Sequence, residues 1–185
     1  MRSTYPGSRF PGTHSKTVEL RRHTDADGDV LTPEGIRTAV ELGVGHQGEY
    51  DLLISSGAQR ATQTLACLLA GMAAQQPCGV VVDPGFRSTV EDRWFEAAKQ
   101  ASGKDLEAFR RVDPDLVEKE SQVLGAALRA VFDRLPEGGR ALVVGHSPTT
   151  EAAVLGLTGQ IVDPISKGAG VRVVIENGES RIEAL

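Results

Sequence analysis

The sequence predicts an α/β fold: a three-layer sandwich with a mainly parallel central sheet, helices on both faces and a C-terminal antiparallel hairpin. Short apolar segments that fit strands alternate along the chain with longer segments of helical periodicity, as in parallel sheets. Asn177-Gly178 separates two β-prone segments, and both residues tolerate the positive φ of a tight hairpin turn. No repeat or change of composition divides the chain, so we expect residues 17–185 to form one domain.

Four strands and the helices between them follow from the apolar pattern. We predict the strands at residues 17–20, 51–54, 80–82 and 141–144. A helix should begin after Thr32, which fits an N-cap, because Pro33 is tolerated in a first turn and Glu34 suits the positive helix end. Further helical segments are predicted at residues 58–75, 89–135 and 149–157, with breaks near residues 102–103 and 113–114.

The composition excludes several classes of function. The chain has 20 basic and 25 acidic residues, a net charge of −5, and only 4% aromatic residues. Neither value fits a dedicated nucleic-acid-binding protein, which usually has a basic face or stacking aromatic side chains. Its 2 cysteines cannot build a disulfide framework or a four-cysteine zinc site. No apolar run approaches the roughly 18 residues of a membrane span, so we expect a cytoplasmic protein without nucleic-acid or membrane partners.

The first residues of the chain differ from the rest. Residues 1–16 contain Gly, Pro, Ser, Thr and basic residues but no apolar stretch. A secretory signal needs an apolar segment of about 7–15 residues. We therefore expect a flexible N-terminal tail that is not such a signal, with His14 solvated.

Three motifs imitate functional sites. Residues 43–48 match the dinucleotide-binding pattern G-x-G-x-x-G, but they follow a helix and precede a strand, the reverse of what that motif needs. We expect these glycines to end the helix and His46 to lie in a loop. Ser147 stands where a hydrolase nucleophile would lie, but the proline after it has no N–H for an oxyanion hole. Cys67 and Cys78 lack an electropositive setting, so inert thiols are expected.

Side chains that favour anion binding follow three of the predicted strands. The first is followed by Arg22, His23 and Thr24, the second by the segment 55–64 with Arg60, and the fourth by Gly145, His146 and Ser147. Because the carboxyl ends of parallel strands lie at one edge of a sheet, these groups and two helix N-termini should meet in one small volume. Arginine binds phosphate in bidentate fashion, a helix N-terminus adds free N–H groups, and histidine can act as a nucleophile.

These segments resemble the signature motifs of the histidine phosphatase (phosphoglycerate mutase-like) superfamily. Arg22-His23-Thr24 resembles its Arg-His-Gly motif, residues 55–64 resemble S-S-x-x-x-R-A-x-Q-T, and Gly145-His146 resembles its late Gly-His motif. The motifs follow in the family's order and, with their strands and helices, span residues 17–157. The compact spacing and the G-H-S-P stretch are most similar to the small bacterial phosphohistidine phosphatase branch.

The resemblance implies a role for each matching residue. His23 would be the nucleophile that takes the phosphoryl group as a phosphohistidine, and water would then release phosphate. Arg22 and Arg60 would hold the phosphate oxygens, and His146 would face the same oxygens. Thr24 and Ser147 are further candidates for phosphate binding. No metal and no cofactor are implied.

The sequence departs from the family pattern in two places. Thr24 stands where the family has glycine, so its hydroxyl could bind the phosphate or its bulk could restrict access. Ser88 stands where many relatives have a glutamate that protonates the leaving group. Glu91, Asp25 and Glu151 are candidates for this general acid, although the phosphohistidine phosphatase branch manages without one.

We therefore predict a metal-independent phosphatase that hydrolyses a phosphomonoester or a phosphohistidine through a covalent phosphohistidine on His23. Its substrate would be a small phosphorylated metabolite or a phosphoprotein. One alternative is a phosphoglycerate mutase-type phosphotransferase, and another is a catalytically silent protein that binds a phosphorylated ligand. Residues 84–114 should form a lid over the pocket, and five of its side chains could meet the distal part of a substrate: Arg87, Arg93, Trp94, Lys99 and Lys104.

Overall fold

The structure, a computed structural model, describes residues 14–185. Its strands are β1 (Ser15–Arg22), β2 (Ala26–Asp27), β3 (Val30–Leu31), β4 (Leu52–Ser55), β5 (Val80–Val82), β6 (Arg140–Gly145), β7 (Gly170–Glu176) and β8 (Glu179–Ala184). Its helices are α1 (Pro33–Val44), α2 (Gln59–Gly71), α3 (Glu91–Gln100), α4 (Leu106–Val112), α5 (Pro114–Arg134) and α6 (Thr149–Thr158). The predicted tail lies, up to residue 13, outside the described residues, and β1 begins two residues earlier than expected. Within the described range, no helix is long and apolar enough to cross a membrane.

Six strands form one sheet in the order β5-β4-β6-β1-β7-β8. The first four of these are parallel, β7 runs antiparallel to β1, and β8 completes the hairpin. The mainly parallel sheet and the C-terminal hairpin are therefore confirmed. In the register, Ser55 pairs with Val144 and Arg22 pairs with Gly145, so the carboxyl ends of β4, β6 and β1 are level. The three segments that carry the predicted site leave the sheet side by side.

Helices cover both faces of the sheet, as predicted. Along β6, Leu142 and Val144 join a buried cluster with side chains of α2, against which Leu42 of α1 packs. Ala141 and Val143 point to the opposite face and join a larger cluster with side chains of α3 to α6. Successive side chains of a strand point to opposite faces, so a continuous apolar strand can serve two cores at once. The fold is a three-layer α/β sandwich.

Local signals in the sequence set the helix boundaries. Thr32 caps α1 by accepting a hydrogen bond from the N–H of Gly35, as expected. The long helical region divides into α3, α4 and α5 at the two predicted breaks. Gly45 forms the C-cap of α1, but Gly43 has a different function. A Cβ at Gly43 would lie 2.1 Å from the carbonyl oxygen of Leu68, so glycine is needed there for close packing of α1 on α2.

The short hairpin formed by β2 and β3 was not predicted. Its turn contains Gly28, which has a φ of 59°. Asp27-Gly28 is a dipeptide that favours such turns, so the sequence did contain a signal for this hairpin. The turn places Asp29 beside the first residues of α2, where it contributes to the site described below.

Candidate active site

His23 directly follows β1 and is 8% exposed. Its backbone N–H donates to the carbonyl of Gly145, so the end of β6 holds the start of the loop. The ring Nδ1 lies 2.8 Å from the carbonyl oxygen of Thr24. A carbonyl can only accept, so Nδ1 carries the proton and Nε2 presents its lone pair. The fold therefore fixes His23 in the tautomer that a nucleophilic imidazole needs.

The surroundings of His23 favour its neutral form. Burial is the main cause that lowers its pKa, and the nearby charges of Arg60 and Arg22 act in the same direction. The hydrogen bond to Thr24 acts in the opposite direction but does not outweigh them. The Nε–H of Arg60 lies 3.3 Å from the His23 Nε2 and points a donor at the lone pair. A neutral, oriented imidazole next to a guanidinium is suited to attack an anionic phosphoryl group.

His146 faces His23 across the site, with 5.4 Å between the ring centroids. Burial is the largest cause that lowers the pKa of His146 to about 3, and the charges of Arg60 and His23 add to it. Its Nε2 lies 2.8 Å from the hydroxyl of Ser56. Its Nδ1 is buried and has no hydrogen-bond partner within the described part of the chain. His146 is therefore a neutral ring with one nitrogen left for a ligand.

Arg22, the last residue of β1, lines a cavity together with Arg60 and His146. Its Nη1 donates to the carbonyl of Ile165 at 3.0 Å, which holds the guanidinium in place. Its Nε is buried and has no hydrogen-bond partner among residues 14–185. Burial lowers the pKa of Arg22, whereas the nearby charge of Glu151 raises it. This fixed cation with an unused donor fits the predicted role in holding an anion.

Arg60, in the first turn of α2, is held by Asp29, a residue that the sequence reasoning missed. The Asp29 carboxylate accepts from Nη1 of Arg60 at 2.9 Å and from the backbone N–H groups of Arg60 and Gln59 at 3.2 and 3.1 Å. Partial burial acts to raise the pKa of Asp29, but these bonds outweigh it and hold the pKa below its usual range. The expectation that the N-terminus of α2 binds the ligand directly is therefore wrong, because Asp29 already occupies its N–H groups.

We expect Asp29→Ala to lower the free energy of unfolding by about 1 kcal/mol, the usual effect of removing a helix cap. The same change should raise KM several-fold, because Arg60 loses the bond that fixes its guanidinium. Urea denaturation and steady-state assays measure the two effects. Asp27→Ala is the matched control, since Asp27 lies in the same hairpin and makes none of these bonds. Equal effects of the two substitutions would contradict this account of Asp29.

The predicted contributions of Thr24 and Ser147 to phosphate binding do not fit the geometry. Thr24 is fully buried, and its hydroxyl donates to the carbonyl of Gly35 at 2.8 Å. Its backbone N–H donates to the hydroxyl of Thr64. Ser147 does line the cavity, but its hydroxyl donates to the carboxylate of Glu151. The bulk that Thr24 adds in place of glycine faces the α1 side, so it stabilises the loop instead of restricting access.

The three candidate acids occupy different environments. Glu91 begins α3, lines the cavity and pairs with Arg87 at 2.9 Å. Asp25 does not line the cavity, and its hydrogen bonds to Lys167 and Thr32 are the main causes that lower its pKa. A carboxyl with a lowered pKa is a poor proton donor near neutral pH.

Glu151 differs from Asp25 in that its pKa is raised and its carboxyl is buried. Burial raises its pKa, but one carboxylate oxygen is held by Ser147 and by the N–H of Ile165 at 2.9 Å. It does not line the cavity. By bonding Ile165, Glu151 supports the backbone that in turn accepts from Arg22. Of the three candidates, only Glu91 lines the cavity.

The site groups open into a cavity of about 480 Å³. Its lining includes Arg22, Arg60, Ser88 and His146, together with Trp94 and Lys104 from the predicted lid. Two further cations of the lid face elsewhere: Arg93 pairs with Asp113, and Lys99 pairs with Glu96. The volume exceeds what a phosphate alone would fill and is typical of a pocket for a small organic ligand.

Of the three motifs that imitate functional sites, only that of Ser147 reaches this cavity. His46 follows α1 and is packed against the buried carboxylate of Glu19 at 3.4 Å, on the α1–α2 side of the sheet. Burial raises the pKa of both Cys67 and Cys78, in agreement with inert thiols. Across residues 14–185, no group of three or more His, Cys, Asp or Glu side chains could hold a metal ion.

Comparisons with known proteins agree with this geometry. The model of the histidine phosphatase superfamily (branch 1) matches residues 12–172. The structure is similar to that of a phosphoglycerate mutase from Bacillus anthracis str. Sterne, with 19% sequence identity, 94% of each chain covered and a TM-score of 0.65. It is also similar to a phosphoserine phosphatase from Entamoeba histolytica in complex with 3-phosphoglyceric acid, with 16% identity, 91% of this chain and 96% of the other covered, and a TM-score of 0.71.

A third similar structure is the protein histidine phosphatase SixA complexed with tungstate, with 20% identity, 90% of this chain and 94% of the other covered, and a TM-score of 0.58. A search of curated proteins finds no match. Similarities at these identities show the shared fold, whereas the family model covers most of the chain. The predicted resemblance is confirmed: the chain belongs to the histidine phosphatase superfamily, for which catalysis through a phosphohistidine intermediate is characteristic.

Proposed function

We propose that this protein is a metal-independent phosphatase that hydrolyses a phosphomonoester or a phosphohistidine through a phosphohistidine on Nε2 of His23. One observation carries the proposal: Nδ1 of His23 donates to the Thr24 carbonyl, which leaves the Nε2 lone pair directed toward Arg60, a residue that lines the cavity. The proposal keeps the cytoplasmic location that the composition favours. Its substrates are phosphorylated small molecules or phosphoproteins.

The reaction takes place in two displacements. The Nε2 lone pair of His23 attacks phosphorus, an N–P bond forms, and the bond from phosphorus to the leaving group breaks. The leaving group takes a proton from Glu91 or from solvent and departs. Water then attacks phosphorus and gives up a proton to the Glu91 carboxylate or to solvent. The N–P bond breaks, and inorganic phosphate departs from a neutral His23. In such transfers, positioning and electrostatic stabilisation supply most of the rate enhancement.

Two unsatisfied donors support the placement of the phosphate. The Arg22 Nε is buried with no hydrogen-bond partner among residues 14–185, and unpaired buried donors of this kind are costly. If Ser56 donates its hydroxyl proton to Nε2 of His146, the neutral ring carries its own proton on Nδ1. Both donors could then be satisfied by oxygens of one phosphoryl group.

Glu91 is proposed as the proton donor for leaving groups that need one. We expect Glu91→Gln to lower kcat by about 10²-fold on an alkyl phosphate and to have little effect on p-nitrophenyl phosphate, whose leaving group is stable as an anion. Glu96→Gln is the control, because Glu96 lies on the same helix and is not among the residues that line the cavity. An equal loss on both substrates would show that Glu91 acts in some other way.

Two other functions remain to be distinguished by experiment. Assays on p-nitrophenyl phosphate and on a phosphohistidine peptide test for hydrolysis, and labelled phosphoglycerate tests for a mutase, which would return an isomer and little free phosphate. If no phosphorylated compound is turned over, but inorganic phosphate binds and Arg60→Ala abolishes the binding, the protein is a phospho-ligand binding protein. Hydrolysis with release of phosphate, lost in His23→Ala, is the result that the proposal predicts.

A further inference from the structure

The wall of the cavity is mainly apolar. It is formed by the lid helices α3 and α4 and by the loops after β6 and α6. The apolar side chains that line it are Trp94, Phe95, Phe109, Pro148, Pro164 and Ile165. Of these side chains, only Trp94 was expected from the sequence to contact a substrate. A mainly apolar wall next to a few fixed polar groups is typical of a pocket that binds an organic ligand.

The aromatic side chains of this apolar wall differ in exposure: Trp94 is buried and held by its neighbours, whereas Phe95 is exposed. Trp94 is 5% exposed, and its ring nitrogen donates to the carboxylate of Glu120 at 3.2 Å. Phe109 packs edge-on against Trp94, with 5.8 Å between the ring centroids. Phe95, the next residue of α3, is 65% exposed and lines the cavity. A ligand in the cavity would cover part of this exposed ring and remove apolar surface from water.

Few basic side chains line the cavity. Arg22 and Arg60 are the two that would hold the phosphoryl group, and Lys104 is the one other Lys or Arg among the described residues that line it. The carboxylate of Glu91 is paired with Arg87. A small acidic alcohol such as glycerate, close to the phosphoryl group, would therefore compete for the two phosphate-binding arginines and would face apolar surface on its other side.

We propose that the preferred substrates are phosphomonoesters of bulky, mainly apolar alcohols, and that Phe95 determines this preference. The inference rests on the proposed phosphatase function and specifies the substrate class of the same site. The phosphoryl group would lie on Arg22, Arg60 and His146, and the body of the alcohol would lie along Trp94 and Phe95.

The test compares 2-phenylethyl phosphate with 3-phosphoglycerate. Both are esters of primary alcohols, so they differ in the body of the molecule more than in leaving-group chemistry. We expect kcat/KM to be at least about 10-fold higher for 2-phenylethyl phosphate, which is a modest discrimination for an apolar pocket. Phe95→Ala should reduce this ratio by roughly 10-fold, mainly through a higher KM for the phenylethyl ester, because contact with a remote part of the substrate contributes uniform binding.

The control is Val123→Ala, which removes an apolar side chain that is 62% exposed on α5 and is not among the cavity-lining residues. It should leave the ratio unchanged. Equal kcat/KM for the two esters, a preference for 3-phosphoglycerate, or an unaltered ratio in Phe95→Ala would overturn the inference while leaving the phosphatase proposal intact. If wild type and His23→Ala hydrolyse both esters at the same background rate, the phosphatase proposal fails, and the inference fails with it.

Discussion

Replacing His23 by alanine is expected to reduce kcat on p-nitrophenyl phosphate by roughly 10⁴-fold or more, by analogy with the removal of other catalytic nucleophiles. The physical reason is that Nε2 of His23 carries the lone pair that the fold orients toward Arg60, with Nδ1 tied to the Thr24 carbonyl. Without it, water would have to attack the phosphomonoester directly. Steady-state release of p-nitrophenol measures the loss.

Ligand binding by the His23→Ala variant tests whether it is folded. His23 is nearly buried, so alanine leaves a small cavity, but Arg22, Arg60 and His146 remain in place. The variant should therefore still bind inorganic phosphate or vanadate, which calorimetry can measure. A variant that binds vanadate and has lost its activity supports the nucleophile. A variant that keeps more than a tenth of wild-type kcat contradicts it.

Replacing Arg60 by alanine is expected to lower kcat/KM by roughly 10²–10³-fold, the typical effect of removing one preorganised donor from a charged transition state. Arg60 points its Nε toward the His23 nucleophile and is fixed by Asp29 through Nη1. In the proposed mechanism its donors would bind the phosphoryl oxygens both before and during transfer, so kcat and KM should both change. Steady-state kinetics on p-nitrophenyl phosphate separates the two parameters.

Arg60→Lys is the matched comparison for this prediction. Lysine keeps the positive charge but lacks the planar fork that binds Asp29 and a phosphate at the same time. We therefore expect it to recover only part of the activity that alanine loses. A loss below tenfold in Arg60→Ala would place the phosphate away from Arg60. Full activity in Arg60→Lys would show that charge alone matters and that the Asp29 contact has no influence on catalysis.

The sequence was sufficient to predict how the site assembles. The three motifs end strands that proved to be neighbours, and the level register of β4, β6 and β1 brings Arg22, Arg60 and His146 around one cavity. His23 lies beside Arg60 and faces His146. This prediction was possible because strand ends depend on short apolar runs, and those runs are local. The general rule that ligands bind beyond the carboxyl ends of parallel strands supplied the rest.

Contacts between segments distant in sequence were the part that could not be predicted. Asp29 binds Arg60 across 31 positions, and the Asp-Gly turn that brings it there was overlooked. Thr24 was expected at the phosphate because it replaces a glycine next to His23, yet its hydroxyl turns to Gly35 of α1. A side chain's direction depends on which partner lies nearby, and that information belongs to the tertiary structure.

The candidate acids illustrate the same limit. Asp25, Glu91 and Glu151 are all carboxylates near a motif in the sequence. The structure separates them by partner and burial: Asp25 is paired with Lys167, Glu151 is buried under Ser147, and Glu91 lines the cavity. Neither salt bridges nor burial can be read from sequence spacing alone, so the choice among the three acids depends on the tertiary structure.

The most direct test of the account is to trap the phosphoryl group on the enzyme. Protein mixed with a phosphomonoester and denatured within milliseconds in alkali should carry a phosphoryl group that is stable to alkali and labile to acid, as a phosphohistidine is. Mass spectrometry of the peptides should locate it on His23, and His23→Ala should carry none. A phosphoryl group on any other residue, or turnover that continues in His23→Ala, would contradict the proposed mechanism.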